Sequence, residues 1–437
     1  MTESNAAGEA IDEFFTTART AGRAEAVTLE DAEYRDFVPE HSDPKLVGFR
    51  GQGYQEFADG RYADTPFLRE LQAAWKALYD EPFRGITADG TVVEGLYPLP
   101  AGLALDPAPA AAAAALLSVL SPAQVAEVSH PLDAPEWRAW SNPEFVIHRV
   151  GLRLEDQGEE VVLAALEVVR ASLSAEGFAR VVEAMELNGF LGELVDLPLL
   201  MNSRSYWFSL FGEPTAEGAW GWQLFGHHVA VNFVSVAGRH VVAPVFIGAE
   251  PALTGGEREP IFAAREALAL RLAGSLSAEQ ASSAVVFDSV LDPAMPEGRV
   301  HPADERHVAG AFRDNRVVPY EGLRATELST QQREWLWEIA EDFLLLLKPE
   351  QRSLTMAAVR AQVQDTWFSW YGATDGSQPN YLRIQSPVLI AELDHHAGVW
   401  LENKLPARFH VHSTLRLPNG NDYGKAYVAQ FVAGAGR

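Results

Sequence analysis

The chain has 437 residues, 47% hydrophobic and 22% charged, with a formal net charge of −26. That is the composition of a globular protein large enough for two or three lobes. The acidic excess argues against a nucleic-acid partner, whose phosphates need clustered Lys and Arg. The absence of cysteine excludes disulfides, thiolate nucleophiles and thiolate-bound metals, so any metal must be held by nitrogen and oxygen.

Met1-Thr2-Glu3-Ser4 is read as beginning no secretory signal, and no apolar run, Phe343 to Leu347 included, is long enough to span a membrane. A cytoplasmic protein with no membrane partner is expected. Residues 1–45 are acidic and polar around Phe14-Phe15 and read as a short helix or an unstructured arm. From Asp64 to Tyr79, the spacing of Phe67, Leu68, Leu71, Ala74, Trp75 and Leu78 predicts a helix. Pro107 to Leu117, with its run of alanines, reads either as a linker or as a helix reaching Leu120. Trp137 to Ile147 reads as aromatic and extended. Residues 1–130 are taken as a helical lobe and 131–437 as an α+β domain.

Glu159 to Leu173 carries one apolar stripe of Val162, Ala165, Leu166, Val169 and Leu173. Ser174 then caps a second helix that is expected to stop at Asn188-Gly189, forming an αα-hairpin. Further helices are predicted over 260–273, 278–283 and 330–347, the last opened by a Ser329/Gln332 capping box.

Trp207-Phe208-Ser209-Leu210-Phe211-Gly212 recurs as Trp367-Phe368-Ser369-Trp370-Tyr371-Gly372. Extending that match without a gap sets Gln223 against Arg383 and Asn232 against Glu392. Each copy reads as strand, loop and strand. The fold class expected is therefore α+β, with two related antiparallel β modules, over about 206–249 and 366–417, and helices packed between and around them.

Alternate residues of a strand share a face, with Cα atoms roughly 6.5–7 Å apart. His410, His412, Thr414 and Arg416 accordingly share one face, and Phe409, Val411, Ser413 and Leu415 the other. Two imidazoles at that spacing can bind one first-row metal. Glu392 and Asp394 on the preceding strand can lie beside them, and His228 is read on a strand with Asn232, facing them from the first module. The expected ligand set is His228, His410, His412 and Glu392, with His227 and His396 as weaker alternatives. Asp394 and Glu392 are the candidate catalytic groups. Arg383, Gln385, Trp222, Asn232 and Arg416 are the candidate substrate contacts. The competing reading makes these histidines structural, the Trp207, Trp220-Gly221-Trp222 and Trp367 to Tyr371 runs sheet core, and Asp422 part of a turn.

Trp207 to Pro214, Trp220-Gly221-Trp222, Gly226-His227-His228, Arg383 to Pro387, Glu392, His410-Val411-His412 and Asn421-Asp422-Tyr423-Gly424 fall in order. With the stretch around Leu173 to Gly177, they resemble an uncharacterised family of bacterial and fungal proteins, domain of unknown function number 3500, over about residues 135–430. Asp394-His395-His396-Ala397-Gly398 stands where that pattern has an Asn-rich segment. The resemblance supports the site's location and implies no activity.

The expectation is a metal-dependent enzyme acting on a small organic molecule. Its cofactor would be a divalent transition metal, Fe first, then Zn, Mn or Cu, and its chemistry that of a non-haem oxidase or oxygenase. The alternatives are a metallohydrolase or lyase using metal-bound water, and a non-catalytic small-molecule binding protein. The oligomeric state is open, a homodimer included.

Overall fold

Residue alternation along the strands decides the architecture. In the computed structural model, which describes residues 34–253 and 259–435, twelve strands form one sheet. These are β1 (Ser129–His130), β2 (Leu152–Arg153), β3 (Tyr206–Gly212), β4 (Ala219–Gly226), β5 (Val229–Val236), β6 (Arg239–Ala249), β7 (Val285–Phe287), β8 (Leu323–Arg324), β9 (Trp367–Tyr371), β10 (Tyr381–Ser386), β11 (Leu389–His396) and β12 (Ala407–Arg416). Their order is β1-β3-β4-β5-β6-β12-β11-β10-β9-β7, with β2 and β8 added beside β3 and β9. The two expected modules are thus one continuous sheet, joined where β6 pairs antiparallel with β12.

One face of this sheet is apolar and helix-covered. The Trp222 indole donates to Ser172 Oγ of helix Glu159–Ser172 at 2.8 Å, and Arg265 of helix Ala263–Gly274 donates to Ser413. Phe208, Leu224, Val231, Leu393 and Val411 on this side are fully buried. Burying such side chains contributes about 1.5–3 kcal/mol each. Helix Thr330–Phe343 opens with the expected Ser329/Gln332 box.

The opposite face is polar and equally buried, because irregular chain covers it instead of helices. Gln223 donates to Trp137 O, Gln385 to Val318 O, and His228 N–H reaches Asn142 O. Backbone groups of a buried loop need partners, and the polar side chains of this face supply them. The segment 137–147 is therefore a short 3-10 turn followed by irregular chain rather than an extended strand, with Trp137 stacked on Phe211 at 3.8 Å.

The alanine run is a helix, Ala108–Val119. The hairpin's second helix, Ala175–Leu194, runs past the expected stop at Asn188-Gly189. Tertiary contacts outweigh that signal: Asn188 donates to Asn202 O, and a Cβ on Gly192 would sit 1.9 Å from Met201 O. The residues read at Phe14-Phe15 lie outside those described. No helix among the described residues is long and apolar enough to cross a membrane.

Several local features occur at matching places on the two flanks. Gln223 pairs with Asn232 on one side and Arg383 with Glu392 on the other. Capping boxes at Ser121/Gln124 and Ser277/Gln280 each lead into an edge strand parallel to its neighbour. Gly151 and Gly322 both have positive φ, and a Cβ on either would collide with a carbonyl, Phe208 O or Phe368 O, at 2.2 Å.

Candidate metal centre

β12 lies between β6 and β11, so its polar face is flanked on both sides. His412 pairs with Gly248 of β6 on one side and with Asp394 of β11 on the other. The absence of a side chain at 248 is what lets the imidazoles meet. A Cβ there would lie 2.6 Å from His412 Cδ2 and 2.9 Å from His228 Cδ2.

His228 arrives from a turn and not, as expected, from a strand face. Gly226 pairs with Val229, which leaves His227-His228 as the two-residue connection of the β4–β5 hairpin. His228 has φ 63°, a left-handed conformation that costs a non-glycine residue roughly 1–2 kcal/mol. A strained residue of this kind points to a functional constraint. Its carbonyl accepts from Gly248 N–H at 2.8 Å, which fixes the turn over the sheet.

The ligating atoms of His228, His410 and His412 lie within 4.8 Å of one another, and all three residues are buried. His410 Nδ1 is 2.7 Å from Ala397 O, and because a carbonyl only accepts, Nδ1 carries a proton and Nε2 is the nitrogen turned to the other rings. His410 Nε2 and His412 Nε2 are 3.1 Å apart. Two metal–nitrogen bonds of about 2.1 Å would span that separation at an angle of about 95°. Burial, reinforced by neighbouring imidazoles, holds His228 and His412 well below the ordinary histidine pKa. Both are therefore neutral and able to ligate.

A second group of histidines adjoins the first. His307, His396 and His412 also place ligating atoms within 4.8 Å of one another, as do Glu305, Asp394 and His396. Alternation along β11 turns His395 and His396 to opposite faces, with a register shift between them. His395 faces the helices, accepting from Asn380 N–H at Nδ1 and meeting Glu266 at 3.3 Å through Nε2. His396 faces the centre, its ring centroid 3.8 Å from that of His412. His227 stacks on His228 and is hydrogen-bonded to Asn188, with burial and then His410 pulling its pKa to about 3.

The remaining expected residues share the fold but not this cluster. Glu392 accepts from Val308 N–H, Ala309 N–H, Tyr381 OH and Thr414 OH at 2.7–3.0 Å, and faces His307 Nδ1 at 3.5 Å. Those contacts saturate its oxygens, so it anchors the covering loop and does not complete the trio. Burial raises its pKa, but the hydrogen bond and charge of His307, with Tyr381 and Val308, outweigh that and hold it at about 2. Asp394 forms a buried ion pair with Arg306 at 2.7 Å, an arrangement that opposes the part of a free base.

The expected substrate contacts are engaged within the protein. Arg383 pairs with Glu321, Gln385 donates to Val318 O, and Asn232 donates to Pro244 O while accepting from Gln223. Arg416 pairs with Asp314 and Asp422. Trp222 points to the helix-covered face, away from the histidines. A strand-alternation argument puts a side chain on the correct face but cannot tell whether a covering loop has already claimed it.

His307, Arg306 and Glu305 were not anticipated. They sit in irregular chain that belongs to no strand. The available signal was the density of ionisable residues in Asp304-Glu305-Arg306-His307 and Arg313-Asp314, in a stretch without helix or strand periodicity.

No match was found among curated proteins or among solved structures. The family model described as "Protein of unknown function (DUF3500)" matches residues 107–425, which include every histidine of the cluster, and the chain belongs to that family.

Proposed function

We propose that the protein is a metal-dependent enzyme acting on a small organic molecule, with His228, His410 and His412 holding a divalent transition metal. The observation that carries this reading is the convergence of three buried imidazoles from the β4–β5 turn and β12, with their ligating atoms within 4.8 Å. Three nitrogen donors leave coordination positions free, as catalytic sites require and closed structural sites do not. An all-nitrogen, thiol-free set suits Fe(II) first and Zn(II), Mn(II) or Cu(II) after it. Such an ion would activate O₂ for oxidative chemistry or, in the alternative reading, lower the pKa of a bound water. Ala397 O orients His410, the type of outer partner that fixes a ligand's tautomer.

Elemental analysis of the full chain, isolated and after reconstitution with Fe(II) or Zn(II), tests this. At least one ion per chain is expected in the wild type. Its loss is expected in His410→Ala/His412→Ala, with the far-ultraviolet circular dichroism retained. A reconstituted wild type that binds no ion would overturn the reading and favour structural histidines. Turnover with and without O₂ then separates the oxidative from the hydrolytic branch.

Gly248→Ala is a milder probe of the same site. Its added methyl would press on His412 and His228 together, with Val411 O only 3.1 Å behind. A 10–100-fold loss of metal affinity is expected, as for other perturbations of ligand orientation. Competition against a chelator measures it, and unchanged affinity would count against ligation by this pair.

We also infer that the two flanks of the sheet descend from one duplicated unit. The recurring aromatic motif, the equivalent strand registers and the paired glycines at 151 and 322 support this. On that reading the turn carrying His227-His228 corresponds to Pro387-Val388, and only one flank kept the imidazoles.

A further inference from the structure

Five imidazoles and three carboxylates are more than one ion needs. His228, His410 and His412 account for one position, leaving His307 and His396 beside Glu305 and Asp394. His307 and His396 are 2% and 3% exposed, yet His307 Nε2 and His396 Nε2 have no hydrogen-bond partner. A buried polar nitrogen left unpaired costs about 1–3 kcal/mol, so each such atom calls for an explanation.

The surroundings of these two nitrogens are those of metal ligands. His307 Nδ1 faces Glu392 Oε2 at 3.5 Å and Thr414 Oγ1 at 3.3 Å, which leaves Nε2 to point elsewhere. A carboxylate behind one ring nitrogen is the common companion of a metal on the other. His396 Nε2 lies 3.2 Å from Asp394 Oδ2 without forming a hydrogen bond to it. Two potential ligand atoms held that close suit a common cation.

Charge points the same way. Glu305 and Asp394 are buried against a single guanidinium, that of Arg306, while Glu392 faces His307. Buried charge that is not paired is expensive.

We propose that a second divalent cation is held by His307 and His396 with Asp394 and Glu305, next to the first, making the centre dinuclear. His412, common to both imidazole triads, stands between the two positions. Paired ions in such centres lie about 3.5–4 Å apart and clamp the two ends of a substrate's reacting oxygens. The proposal rests on the metal-dependent reading above and specifies its stoichiometry.

The test uses the full chain stripped with a chelator and reloaded with Mn(II). Ions per chain are counted by inductively coupled plasma mass spectrometry in the wild type and in His307→Ala/His396→Ala. Two ions are expected in the wild type and one in the variant. Exchange-coupled Mn(II) signals in the electron paramagnetic resonance spectrum of the wild type provide a readout that does not depend on the variant folding. One ion per chain in the wild type, with an isolated six-line spectrum, would overturn the second position while leaving the mononuclear centre standing. No bound ion at all would remove both.

Discussion

Glu392→Gln is expected to destabilise the protein by about 3 kcal/mol at pH 7. Glu392 is 0% exposed, and its two oxygens receive four hydrogen bonds in addition to facing His307. A glutamine keeps one acceptor oxygen and turns an NH₂ group towards two of those donors. The size follows from the depression of the carboxyl from 4.5 to about 2, at about 1.36 kcal/mol per unit. The sign is that of a carboxylate stabilised in the folded state. Its contribution is fully present above the unfolded value of 4.5 and is lost as pH falls from there towards 2. Chemical denaturation of wild type and variant should therefore diverge at pH 7 and converge as the pH approaches 2. Because Glu392 ties down Val308 and Ala309, protease cleavage between residues 298 and 316 should also accelerate. A variant as stable as the wild type at pH 7 would refute the anchoring role.

Arg416→Met should cost about 3–5 kcal/mol, the usual penalty for removing one partner of a buried ion pair. Arg416 is 0% exposed, pairs with Asp422 at 2.8 Å and with Asp314, and reaches the carbonyl of Gly310 at 3.2 Å. Without it Asp422 loses its guanidinium partner, while Asp314 keeps that of Arg138 at 2.7 Å. Burial already raises Asp422 to about 6, with Arg416 partly offsetting the rise, so its removal pushes the group further up. A carboxyl whose folded pKa exceeds its unfolded value of 3.8 loses stability as pH rises, because the folded state then holds the extra proton. The deficit should be largest at pH 7–8 and shrink towards pH 4. Asp422→Asn in the same chain should recover part of it. A deficit independent of pH would show that lost packing, and not unpaired charge, sets the cost.

The legible parts of the sequence were those governed by short-range periodicity. The Ser329/Gln332 box opens its helix, the stripe of Val162, Ala165 and Val169 is buried, and the alternation in β12 separates His410 and His412 from Val411 as expected. Less legible was whatever depends on a distant surface. Asn188-Gly189 does not stop its helix because a loop packs against Asn188 and Gly192. His228 reaches the cluster through a left-handed turn, which single-strand alternation cannot anticipate. Asp394 and Arg416 were placed on the correct face, but their partners Arg306 and Asp314 come from a loop about 90 to 100 residues away in sequence. Burying a polar sheet face under irregular chain makes most of its side chains structural, while His307 and His396 each keep a ring nitrogen without a partner.

Anomalous diffraction from crystals of the metal-loaded protein, collected on both sides of the metal's absorption edge, tests the centre most directly. A peak is expected within about 2.0–2.3 Å of ring nitrogens from His228, His410 and His412 together. Density at surface carboxylates alone, with the three rings contacting only protein, would contradict it.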